Sequence, residues 1–114
     1  MNFNMWFEYK LGDTEKYIRD EKIIKMPYDS IKILRDACDY DLCSGERLPL
    51  PDVFDMFSLA LVNLDKNLTK YNTDRWFRFS HIEDVKYFCD EFFKMLKSRR
   101  LTQQEMKSVM VQFA

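Results

Sequence analysis

Residues 3–11 alternate strictly. Phe3, Met5, Phe7, Tyr9 and Leu11 fall on one side, and Asn4, Trp6, Glu8 and Lys10 on the other. A period of two is the pleat of a β-strand, and the apolar side must be covered by another layer. This stretch therefore commits the chain to a sheet with something packed on one face of it.

The remainder supplies that layer. Gly12-Asp13 is a turn signal, and residues 17–26 (YIRDEKIIKM) carry a weaker strand pattern, so the N-terminus is expected to form a hairpin. A helical turn over residues 15–20 is the competing local reading. Pro27 ends the second strand. Asp29 or Ser30 then caps a helix over about residues 30–42, whose stripe is Ile31, Leu34, Ala37, Cys38 and Leu42. Ser44-Gly45 stops it, and GERLPLP reads as an irregular connection.

A second helix is expected from Asp52 to about Leu68. Its apolar residues fill a broad arc that leaves Leu59 and Val62 outside. A helix apolar on more than one side is expected at the centre of the core, the other reading being that the extra side meets a partner. After a turn at residues 72–74, RWFRF (residues 75–79) reads as a short strand. Ser80-x-x-Glu83 and Thr102-x-x-Glu105 are capping boxes, predicting a helix to about Arg99 and a last helix to the terminus. The stripe of that last helix is Met106, Val109, Met110 and Phe113. The expected order is β-β-α-α-β-α-α. This is a single α+β domain over residues 1–114, a small antiparallel or mixed sheet of about three strands packed with about four helices.

Composition narrows the chemistry. The only glycines, Gly12 and Gly45, lie far apart, so no glycine-rich loop can cradle a phosphate. His81 is the single histidine, so a two-histidine metal site is excluded. Cys38, Cys43 and Cys89 have no metal-like spacing, and Cys38 and Cys89 fall on apolar helix sides as buried free thiols would. No basic segment followed by an apolar run marks a leader, and no stretch approaches the roughly 20 apolar residues of a membrane span. A reducing cytoplasmic setting is expected, with no membrane, no metal and no cofactor.

Catalytic constellations are thin. His81 and Cys89 lie about 12 Å apart along one helix, too far for a nucleophile and its base. Glu8-Tyr9-Lys10 and Asp20-Glu21-Lys22 look like the end of a metal-nuclease motif, but the upstream acid that would share Mg²⁺ is missing. The chain is not expected to be an enzyme.

Binding is better supplied. Ten Phe, six Tyr and two Trp suit protein contacts as well as a core. Net charge is −1, yet residues 36–55 hold six acids against Arg47, and residues 94–107 hold five bases against Glu105. Two patches of opposite sign could steer a partner or pair subunits in a homodimer. Trp6, on the polar side of the first strand, is a candidate anchor. Arg75, Trp76 and Arg78 mix bases with an aromatic ring, and with Lys97, Arg99 and Arg100 they suit nucleic acid. Met106, Met110 and Phe113 form a narrow terminal stripe that could enter a partner groove.

The expected function is therefore a non-enzymatic protein-binding module acting by stoichiometric contact. Short, aromatic-rich, glycine-poor chains are common among phages and mobile elements. That association suggests an inhibitor of a host defence or replication enzyme, of the anti-CRISPR kind, or a toxin-immunity protein. The alternative is a small nucleic-acid-binding regulator.

Overall fold

The computed structural model describes residues 1–66 and 79–114. The first strand, β1, covers Asn2–Lys10, and Phe3, Met5 and Phe7 are fully buried as their parity requires. The second strand expected over residues 17–26 is two strands, β2 (Tyr17–Arg19) and β3 (Ile24–Pro27). Both pair antiparallel with β1, β3 along Asn2–Met5 and β2 along Glu8–Lys10. The interruption has a local cause. The Asp20 carboxylate accepts the Lys22 amide at 2.9 Å, an Asx-type turn that competes with the ladder.

A short 3₁₀ turn, Tyr28–Ser30, leads into α1 (Ile31–Ala37), which is shorter than expected. Asp39 takes a left-handed φ of 51° just past it, a conformation Asp tolerates better than most residues. Leu42 is fully buried from the loop beyond, not from the helix. The Arg35 Nε donates to the Leu42 carbonyl at 2.6 Å and holds that loop in place.

GERLPLP is no irregular connection. Gly45, at φ 95°, turns the chain into a strand, β4 (Arg47–Pro49), on an edge where proline's missing amide costs little. The following helix, α2, spans Leu50–Lys66 and starts before Asp52 because Pro51 is well tolerated in a first turn. It is not apolar-buried all round: Phe54, Leu59 and Val62 are each more than 40% exposed. The next helix, α3, spans Phe79–Arg99 and has already begun at the last residue of the strand expected over 75–79. Ser80 is therefore inside the first turn and not at the cap.

The largest correction is at the C-terminus. The Thr102–Glu105 capping box forms, with the Glu105 amide donating to Thr102 Oγ1 and the Thr102 amide to Glu105 Oε1. It opens only a single turn, α4 (Gln103–Met106). The chain then becomes β5 (Val109–Phe113). Met106, Val109, Met110 and Phe113 have helical spacing, but VMVQF also alternates. A window this short does not separate the two periods. Strand pairing on both sides decides it. β5 lies between β1 and β4, antiparallel to each.

The result is a five-stranded antiparallel sheet of order β2-β1-β5-β4, with β3 on the same edge of β1 as β2. The α+β class is as expected. The strand number and the element order are not. Helices cover one face. Phe57 of α2 and Phe88 and Phe92 of α3 pack on Phe3, Phe7 and Phe113 of the strands, with ring centroids 5.5–6.3 Å apart. Each fully buried ring contributes about 2–3 kcal/mol of transfer free energy.

Candidate functional site

The opposite face of the sheet is where the polar parity of β1 points. Register extends that parity across neighbouring strands. Trp6 faces Gln112, which faces Arg47; Glu8 faces Met110, which faces Pro49. On the other edge of β1, Arg19 faces Glu8, Tyr17 faces Lys10 and Lys25 faces Asn4. None of these side chains is buried, in contrast to Phe3, Met5, Phe7, Val111 and Phe113 on the covered side.

The face is organised around two arginine–aromatic pairs. The Arg19 guanidinium carbon lies 4.4 Å from the centroid of Trp6, and that of Arg47 lies 4.0 Å from the centroid of Tyr17. The Arg47 Nε also meets Glu8 Oε1 at 2.8 Å. Exposed contacts of this kind stabilise by about 0.5–1 kcal/mol each, so they orient side chains more than they hold the fold. Trp6 Nε1 is buried with no hydrogen-bond partner among the described residues. A buried donor left unmet costs about 1–3 kcal/mol.

A second constellation sits at the end of β1. Asp20, nearly buried, receives the Tyr9 hydroxyl, the Lys22 amide and both sides of the Arg99 fork. The Arg99 hydrogen bonds are the main reason its carboxyl falls to about 2 against the opposing effect of burial. Burial, then the Asp20 hydrogen bond, pushes the Tyr9 phenol up to about 12. These groups line a shallow pocket of about 470 Å³ together with Ile18, Arg19, Glu21 and Leu101. Both Asp20 carboxylate oxygens are already occupied. The cluster clasps α3 to the sheet.

The residues singled out in the sequence part company. Trp6 stands on the open face, half-buried. Arg75, Trp76 and Arg78 lie outside the described residues. Lys97 and Arg100 are exposed at the end of α3, but Arg99 between them is turned inward to Asp20. The terminal stripe does not exist. Met110 is on the open face, Phe113 is fully buried on the covered one, and Met106 packs on the edge of the core from α4. Sequence reasoning did not foresee that Tyr17, Arg19, Arg47 and Met110 share the face of Trp6. Parity within β1 had already put Asn4 and Glu8 beside it, whereas the other strands join the face only through pairing.

Other chemistry is sparse. Cys38 and Cys89 are buried and burial pushes both thiols up, that of Cys38 to about 11, while Cys43 is exposed. Among the described residues no three of His, Cys, Asp or Glu gather so as to hold a metal ion. No described helix is long and apolar enough to cross a membrane. In comparisons with family models, curated proteins and solved structures, nothing matches this chain.

Proposed function

We propose that this chain is a protein-binding module that acts by stoichiometric contact and not by catalysis, through the open face of its sheet. The observation that carries this is the arrangement of Trp6 with Arg19 and of Tyr17 with Arg47 on a face that no described helix covers. Trp, Tyr and Arg supply most of the binding free energy at protein interfaces. Pairing them beforehand lowers the ordering cost of association. Met110 beside them adds an adaptable apolar surface. Such a module acts by occupying a surface. Its role in the cytoplasm would be that of an inhibitor of a host defence or replication enzyme, anti-CRISPR-like, or of an immunity protein against a toxin.

The nucleic-acid reading is weaker on this face. Base stacking needs free ring surface, and a guanidinium already lies over one side of each of these two rings. The basic run at the end of α3 is also reduced, because Arg99 is taken up by Asp20.

The test is affinity capture from cytosol of the source organism or its host, with wild type and Trp6→Ala, with and without nuclease. Any retained protein is identified by mass spectrometry, produced pure and mixed with the chain. The expected result is one protein, retained after nuclease, lost on Trp6→Ala and forming a complex of fixed stoichiometry by light scattering. A catch that disappears with nuclease, or one that Trp6→Ala retains unchanged, overturns the reading.

A further inference from the structure

We infer that the partner of the open sheet face is an acidic protein surface, bound through carboxylates that dock on Arg19 and Lys25 around Trp6. This rests on the protein-binding reading above and goes beyond it by naming the chemistry of the partner.

The argument is one of charge and of donors without acceptors. Among the described strand-paired residues, register places Lys10, Arg19, Lys25 and Arg47 on this face with a single acid, Glu8. That acid is already bound to Arg47 at 2.8 Å. Glu46, beside Arg47 in sequence, is engaged elsewhere: it accepts the Tyr40 hydroxyl at 2.6 Å and the Cys43 amide at 2.8 Å. Among the described residues Lys10, Arg19 and Lys25 have no ion pair, and Arg19 has only its contact with the Trp6 ring. The chain as a whole carries a net charge of −1, so this positive excess is a property of one face and not of the molecule.

The Arg19–Trp6 pair favours a carboxylate over a phosphate-and-base ligand. A guanidinium over a ring is held by its face, while its five N–H donors lie in its own plane and remain able to grip a carboxylate in two places. The ring beneath is correspondingly less available to a nucleic-acid base. A partner that brings Asp or Glu side chains flanked by apolar residues would meet the fork of Arg19, the ammonium of Lys25 and the apolar surface of Trp6 and Met110 together. Charge complementarity of this kind raises the rate of encounter and selects the orientation of docking.

The test uses the whole 114-residue chain. A display library of random dodecapeptides is panned on it, and the most enriched peptides are synthesised and titrated by fluorescence polarisation. A dodecathymidylate is titrated alongside them. Wild type, Trp6→Ala, Arg19→Glu, Lys25→Glu and Lys32→Glu are compared, the last altering a cation of α1 on the helical side. Circular dichroism confirms that each variant is folded. The expected peptides carry net negative charge. Their Kd should weaken at least tenfold on Arg19→Glu or Lys25→Glu and less than twofold on Lys32→Glu, and should weaken steeply with added salt.

Enriched peptides without negative charge that still require Trp6 would overturn the acidic-partner inference and leave the protein-binding reading standing. Peptides indifferent to Trp6→Ala, or no enrichment at all, would overturn both. Tight dodecathymidylate binding lost on Arg19→Glu, without acidic peptides, would also overturn both and assign the face to nucleic acid.

Discussion

Arg99 grips Asp20 from 79 residues away in sequence, its Nε 2.7 Å from Oδ2 and its Nη2 2.9 Å from Oδ1. A two-point grip of this kind fixes both distance and angle, so it sets where the end of α3 meets the break between β2 and β3. The Asp20 side chain is almost wholly buried and that of Arg99 about one-third exposed. Removing the arginine therefore strands a carboxylate with little water to solvate it.

Arg99→Ala should destabilise the chain by about 3 kcal/mol, because it leaves the Asp20 charge buried and uncompensated. Asp20→Asn combined with Arg99→Ala should cost less than the sum of the two single changes. Urea denaturation of the four proteins in a double-mutant cycle measures this. Strict additivity would mean that the fork contributes no coupling.

Acid stability should follow Asp20. Its carboxyl ionises near 3.8 when unfolded and near 2 in the fold. The unfolded chain thus binds the proton first. The stabilisation is complete above about pH 4 and is lost as pH falls through about 2, an effect of about 2 kcal/mol. Between pH 5 and pH 2 the unfolding free energy measured by urea denaturation should therefore fall further for wild type than for Asp20→Asn. Tyr9 acts at the other limit. Its raised pKa favours the fold below about pH 10 and that support is lost toward about 12.

Neighbours in β1 should respond differently to truncation. Phe7 is fully buried against Phe92, and Trp6 lies on the open face under Arg19. Phe7→Ala should cost about 3–5 kcal/mol. Trp6→Ala should cost about 1–2 kcal/mol, the loss of a half-buried ring and one cation–π contact. Thermal or urea unfolding separates the two. Equal losses would mean that the open face is part of the core.

The C-terminal strand should be indispensable. β5 pairs with both β1 and β4, and Phe113 stacks on Phe3 at 5.6 Å. A stop after Ser108 removes the middle of the sheet and should abolish cooperative unfolding and dispersed amide resonances. Phe113→Ala alone should cost about 3–5 kcal/mol. A well-folded truncated chain would contradict the topology.

Thiol labelling should find one reactive cysteine. Cys43 is exposed, whereas Cys38 and Cys89 are buried with thiols pushed up by desolvation. Maleimide should modify one site in the native protein and three in urea, with Cys43→Ser removing the native signal.

Trp6 shows how far the candidate site could be read in advance. Its parity in β1 put it opposite the buried phenylalanines, and that is where it stands. Its companions were hidden because Arg19 reaches it, and Arg47 joins its face, only through strand pairing with β1 and β5. Arg99 shows the opposite failure. It belongs to a basic run in sequence, and one buried carboxylate removes it from that run.

The sequence by itself determined what local periodicity and capping can encode. These are the first strand and the buried side of Phe3, Met5 and Phe7, though Leu11, expected on that side, lies past the strand end and is exposed, together with the caps around residue 102, the lack of a glycine-rich loop, and the α+β class. Tertiary structure decided the rest. VMVQF has the spacing of a helix stripe and of a strand alike, and it became β5 because hydrogen-bonding partners were available on both sides. RLP joined the sheet as an edge strand paired with β5 alone, and Asp20, whose local turn with the Lys22 amide interrupts the ladder, was also reached by Arg99 from the far end of α3. A period can say which side of an element is apolar. Which elements meet is settled only by the sum of non-local pairings, each weak alone, that a single packed arrangement satisfies together.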